Sequence, residues 1–266
     1  MKTIRAIILY AVAVFGLGAL AAPWVFHLAH QFGDWPFRRV FDRVLLVIAI
    51  AGIWPLLRVV GLRSWREIGY PAMPTWWRYL LAGLGLGLLS YGVGCLPLFE
   101  SLHCSGSPVK LLSFAATGLV VGLVEETFFR GGLQNALQRR MPVALAVLIV
   151  SGIYSVVHFL KPPGINIPAE AVVWSSGFEH LGRVVEQSFR ATGVWRAVVT
   201  LWLAGGVLGW AFVRTRALYL SIGLHAGWVF ALKTVAWLGG GSLLENAMIW
   251  PVMALLLVGI EWCSRD

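Results

Sequence analysis

The chain has 266 residues, a mean hydropathy of +0.79, 59% hydrophobic residues and 12% charged ones. Soluble domains carry about 25% charged residues, so this composition excludes a water-soluble globule and points to a helical membrane protein that crosses the bilayer repeatedly. The net charge of +9 does not imply nucleic acid as a partner, because the basic residues stand in short clusters between apolar stretches, as in loops anchored to anionic lipid.

A helix needs about 20 apolar residues to cross the hydrocarbon core. Eight candidate spans follow one another at roughly 6–29, 42–61, 77–99, 111–136, 142–160, 194–213, 217–237 and 246–263. They predict an all-α, polytopic transmembrane bundle and a single integral membrane domain over 1–266. The first span opens like a signal peptide, with Lys2 and Arg5 ahead of an apolar run. Its apolar character continues to His30, which predicts an uncleaved helix, with cleavage after the Ala21–Ala22 region as the alternative. Trp24, Trp54, Trp76, Trp77, Trp195, Trp237, Trp250 and Trp262 fall near span ends, where indoles favour the membrane–water interface.

Arg63 and Arg66, Arg139 and Arg140, and Arg214 and Arg216 share one side with Lys2 and Arg5. The opposite side carries Arg38, Arg39 and Arg43 beside Asp34 and Asp42. This bias predicts cytoplasmic termini. Between the fifth and sixth spans, Pro162-Pro163-Gly164 stops a helix. The mixed polarity after Ala169 fits an amphipathic helix on the membrane, a lid over a cavity, or a solvated loop. Three cysteines, Cys95, Cys104 and Cys263, give no metal-ligand spacing and no disulfide framework. Gly118, Gly122 and the Gly83-x-Gly85-x-Gly87 run fit close approach of helices.

The fourth span contains "GLVEETFFRGGL" at 122–133. A charge at the bilayer centre costs about 2.5–3.5 kcal/mol on insertion scales, so Glu125, Glu126 and Arg130 must pair or face a wet interior. Glu126 and Arg130 are four apart with the acid first, the favoured order for a helical ion pair. Glu125 points about 100° away and is expected to stand outside that pair, which marks it as functional. The other reading is a buried network that only fixes helix packing. His158 ends the fifth span and His225 lies within the seventh. A polar pocket in which Glu125 and His158 activate a water, with His225 donating to developing negative charge, accounts for all three. There is no HExxH zinc-protease motif. Asp34 has no partner for an aspartyl dyad, and Ser151, seven residues before His158, lacks a glycine-rich elbow. His27, His30, His103 and His180 are weaker candidates.

These residues resemble the CPBP intramembrane proteases, which include the CAAX-prenyl endopeptidases of the Rce type and bacterial "abortive infection" relatives. The family's EExxxR stands as Glu125-Glu126-Thr-Phe-Phe-Arg130, its FxxxH as Tyr154-Ser-Val-Val-His158, and its HxxxN/D as His225-Ala-Gly-Trp-Val229. The resemblance places a catalytic core at about 110–237 in a multi-pass protein of the bacterial inner membrane. It implies an intramembrane endopeptidase acting on a membrane-associated peptide or protein substrate. Glu125, Glu126, His158 and His225 are then the candidate catalytic residues, supported by Arg130, Tyr154 and Trp228. No metal is obligatory in this reading; a zinc-dependent version would use Glu125, His158 and His225 as ligands. Val229 departs from the family's Asn or Asp and offers neither donor nor ligand, so the nearby indole N–H of Trp228 is the candidate substitute. That departure supports an alternative, a catalytically impaired binding or chaperone-like membrane protein on the same scaffold. A transporter is a third reading, set against the absence of an internal repeat.

Overall fold

Helix after helix follows the apolar pattern. The computed structural model describes residues 2–95, 107–159, 164–190, 194–239 and 249–262, and no strand occurs among them. Cys104, Cys263, His103 and the Pro162-Pro163 pair lie outside these residues, as does the side chain of Trp262. The elements are α1 (Lys2–His30), α2 (Phe37–Val59), the single turn α3 (Trp65–Ile68), α4 (Trp76–Cys95) and α5 (Pro108–Glu126). A π-helix (Thr127–Gln134) follows, then α6 (Asn135–Gln138), α7 (Val143–Phe159), α8 (Ser176–Arg190), α9 (Val194–Thr215), α10 (Tyr219–Trp237) and α11 (Ile249–Trp262). A helix thus stands at each of the eight predicted spans. Lys2–His30, Phe37–Val59, Pro108–Gln138 and Trp195–Thr215 are long and apolar enough to cross a membrane. Leu9, Val12, Val47, Leu89, Val109 and Leu112 are largely exposed, an arrangement suited to lipid as solvent. The protein is a helical bundle of the membrane.

The chain divides into two compact units, residues 1–62 with 157–192, and residues 63–156 with 193–266. In the first, α1 lies along α2. Tyr10 donates its hydroxyl to the Ala49 carbonyl at 2.8 Å, and Ala19, Ala22, Phe26, Phe37, Phe41 and Val44 form the core. The mixed-polarity segment is an amphipathic helix, α8, with a Glu179–Arg183 ion pair on its outer face. It packs on α1 at Gly177, where any Cβ would collide with the Ala19 carbonyl.

In the second unit α10 runs between α4 and α5, and three glycine pairs spaced four apart let it do so. A Cβ on Gly83 or Gly223 would strike the carbonyl of Leu220 or Leu80. A Cβ on Gly87 would come within 2.6 Å of the Leu224 carbonyl, and one on Gly227 within 2.7 Å of the Leu84 carbonyl. On the other flank, a Cβ on Gly118 would come within 2.6 Å of the Ala226 carbonyl and one on Gly122 within 3.0 Å of the Ile222 carbonyl. Gly85 faces open space, so the expected contact forms at its two neighbours in the run. Between helices in lipid there is little hydrophobic drive, and such close van der Waals contact supplies the cohesion.

Candidate active site

Glu125 and Glu126 end α5, and the chain then continues as a π-helix without leaving the axis. A π-helix bonds each amide to the fifth residue back instead of the fourth, and such segments concentrate at functional sites. Here it buries Phe129, Arg130, Gly131, Gly132, Leu133 and Gln134. Gly131 is required, since a Cβ there would lie 2.6 Å from the Ile68 carbonyl of α3. The α3 turn itself is fixed by a capping box between Ser64 and Glu67, whose hydrogen bonds from Arg63 and Ser64 hold the Glu67 carboxyl below its ordinary range.

Arg130 is fully buried and its groups are distributed among four elements. Nη1 lies 3.2 Å from Glu126 Oε1, and Nη2 donates to the Gly205 carbonyl of α9 at 3.0 Å. The guanidinium also stands over the Tyr154 ring of α7 at 4.7 Å and the Phe129 ring at 5.7 Å, a geometry that stabilises a desolvated cation. One turn along, Gln134 donates to the Gly209 carbonyl at 2.9 Å. Both carbonyls belong to glycines, and a Cβ on Gly209 would come 2.7 Å from Gln134 Oε1.

His225 projects from α10 into this cluster and is 3% exposed. Its Nδ1 lies 2.8 Å from Glu126 Oε1 and its Nε2 3.8 Å from Glu125 Oε2, while its ring stands edge-on to Tyr154 at 6.1 Å. Glu126 therefore serves two cations or donors, Arg130 and His225, where spacing alone gave it one. The two acids differ in access. The Glu125 side chain is 29% exposed and that of Glu126 is 0% exposed, so only Glu125 is placed to meet a molecule from outside.

Of the predicted residues, the structure brings together Glu125, Glu126, Arg130, Tyr154 and His225, supplied by α5, the π-helix, α7 and α10. Trp228 is not available for the role given to it. Its indole N–H donates to Ser90 Oγ of α4 at 2.9 Å, and its ring packs in the apolar core. Val229, half-buried, adds no polar group. His158 stands one turn beyond Tyr154, in the last turn of α7, and belongs to the first unit; its part in the site rests on the motif. Ser151 is buried with its hydroxyl donating to the Val147 carbonyl at 2.7 Å, so it is tied to its own helix instead of poised as a nucleophile. Gln134, Gly205 and Gly209 went unread in the sequence. The four-residue spacing of Arg130 and Gln134 in an apolar span is the signal that marks them as one polar ridge.

The zinc alternative can be tested against the donors present. Among the described residues no group of three or more His, Cys, Asp or Glu side chains is disposed to hold a metal ion. Glu125, His158 and His225, the ligands of the zinc-dependent version, are not brought together as such a group. The donor set does not fit a zinc centre.

Residues 107–231, which contain every member of this cluster, match the family model described as type II CAAX prenyl endopeptidase Rce1-like. This segment is similar to the Rce1-like family. The Rce1-like segment begins at α5 and ends within α10, so α1 to α4 and α11 lie outside it. The chain is also 29% identical over 153 residues to an uncharacterized protein, YyaK, of Bacillus subtilis (strain 168), an alignment covering 53% of this chain and 48% of that one. The chain thus spans about half the length of the curated relative it matches. No solved structure matches.

Proposed function

We propose that the chain is an intramembrane endopeptidase of the CPBP type that hydrolyses a peptide bond of a membrane-associated substrate with a glutamate-activated water. The observation that carries this reading is the unequal access of two carboxylates flanking one histidine: Glu126 sealed between Arg130 and His225, and Glu125 partly exposed. Glu125 takes a proton from water as the hydroxide oxygen bonds to the substrate carbonyl carbon, and the carbonyl π electrons move onto oxygen. The protonated Glu125 then passes its proton to the amide nitrogen as the C–N bond breaks, giving an acid and an amine. Glu126 fixes the His225 ring through Nδ1. Donation from Nε2 to the oxyanion then takes a doubly protonated ring, which two adjacent carboxylates would balance. The family resemblance assigns His158 to the same water-activating step.

Reconstituted wild type should cleave a membrane-tethered peptide, and Glu125→Gln should lower that rate by roughly 10²–10⁴-fold without changing thermal stability or yield. Full activity in Glu125→Gln rejects the assignment. Activity should survive chelators in metal-free protein; its loss, restored by zinc, rejects the metal-free route.

One observation favours the second reading, a binding protein on the protease scaffold. The position after His225 that carries Asn or Asp in the resembled family is Val229, and Trp228 is committed to Ser90. Losing an oxyanion donor can lower a rate by about 10²–10³-fold. Capture of membrane peptides without cleavage, unchanged in Glu125→Gln, would decide for this reading.

A further inference from the structure

The first unit holds a cavity that owes nothing to the carboxylate cluster. Along the outer seam of α1 and α2 runs an open groove of about 810 Å³. Its walls are small or branched apolar residues, among them Ala21 and Val25 of α1 and Val44 and Ile48 of α2. Two further lining residues are Arg39 and Arg43, one turn apart on α2 and therefore on one face. Trp35 closes that end, and the Arg39 guanidinium lies 5.4 Å from its ring centroid.

These arginines contrast with three others that are ion-paired. Arg130 has Glu126, Arg183 has Glu179 and Arg214 has Glu261. Among the described residues, neither Arg39 nor Arg43 has a carboxylate within ion-pair distance. Arg43 lies six residues into α2, about 9 Å along its axis, at the start of the apolar span and exposed, a depth at which a guanidinium meets lipid headgroups. A ligand that completes this groove must offer an anion at the Trp35 end and a flexible apolar chain beyond it. A second transmembrane helix would fill the apolar part but leave both charges unanswered.

We propose that this groove binds one anionic glycerophospholipid. Its phosphodiester bridges Arg39 and Arg43 through charge-assisted hydrogen bonds, and one acyl chain lies along Val44 and Val25 toward Ala21 and Ile48. Trp35 sits at headgroup level, where indoles partition. Basic pockets between membrane helices hold lipid headgroups by this chemistry.

The test uses the purified, delipidated full chain and two probes with identical acyl chains, phosphatidylglycerol and phosphatidylcholine, with bound lipid read by native mass spectrometry. Wild type should retain phosphatidylglycerol roughly 30-fold more tightly, because the quaternary ammonium of phosphatidylcholine offsets its phosphodiester charge and is repelled by the two guanidinium groups, at about 1 kcal/mol each. The double variant Arg39→Gln/Arg43→Gln should bind the two lipids equally, and glycerol phosphate without acyl chains should not displace phosphatidylglycerol. Val47→Trp, which fills the groove from an exposed position, should weaken both lipids together while the melting temperature holds. Equal retention of the two lipids by wild type, or an undiminished preference in the double variant, overturns the site. So does a photoreactive residue at Val47 that captures a protein segment instead of lipid.

Discussion

The two units bury ionisable groups by opposite means. In the second, Glu126, Arg130 and His225 are sealed together, and each charge meets a counter-charge, a backbone carbonyl or an aromatic face. In the first, His180 of α8 is 1% exposed and lies between Phe37 and Phe41, with ring centroids 5.7 and 4.7 Å away. Its Nδ1 has no hydrogen-bond partner among the described residues. A fixed charge cannot be buried without partners, because its desolvation is too large to leave unanswered. An imidazole can be, because it can enter the fold neutral. The polar cluster therefore depends on mutual pairing, whereas the histidine depends on pH.

The pairing side of this contrast breaks most violently at Arg130. Arg130→Met should lower stability by about 3–5 kcal/mol, the usual result of stranding a buried charge, seen as a large fall in melting temperature. Adding Glu126→Gln should recover part of the loss, since the stranded charge goes with it. No recovery in the double variant would mean that the guanidinium acts mainly through Gly205 and the aromatic rings.

The seal around the cluster gives a smaller effect. Gly223→Ala drives a Cβ into the Leu80 carbonyl, and backbone cannot step aside as a side chain can. A loss of about 1–3 kcal/mol is expected from overpacking. Gly85→Ala, on the same α4 run but facing open space, should be neutral or slightly stabilising. Equal effects at the two glycines in a denaturation series would show that the α4–α10 crossing tolerates a wider spacing.

Much of this was legible in the sequence. Apolar run lengths gave the helices, because lipid forces each backbone polar group into helical bonding. Gly83, Gly87, Gly118 and Gly122 pointed to close helix approach, though not to the partners Gly223 and Gly227, and acid-before-base spacing gave the Glu126–Arg130 pair. What stayed hidden was set by partners far along the chain. The anchors of Arg130 and Gln134 are backbone carbonyls 75 residues away, with no side chain to announce them. Trp228 looked like a spare donor until Ser90, 138 residues earlier, was seen to take its N–H. The π-helix is a choice of hydrogen-bond register that no residue type in Thr127–Gln134 announces.

The pH side of the contrast yields the smallest and most specific prediction. Burial lowers the His180 pKa from 6.5, its ordinary value; Asp42 opposes the shift, and Arg38 and Arg183 add to it. The folded value lies below the unfolded one, so the unfolded chain takes up protons first on acidification. The stability that His180 allows is therefore complete above about pH 6.5 and drains away as pH falls toward the folded value. The helix that carries it should loosen first, since α8 is held on α1 through the tight contact at Gly177 and the rings around His180. The protection factor of the α8 amides, which divides out the slower intrinsic exchange at acid pH, should fall between pH 7.5 and 5 in the wild type. It should stay flat in His180→Phe, which keeps the aromatic packing and removes the titrating group. If the phenylalanine variant loosens over the same interval, another group governs α8, and the neutral-entry account of this buried histidine fails.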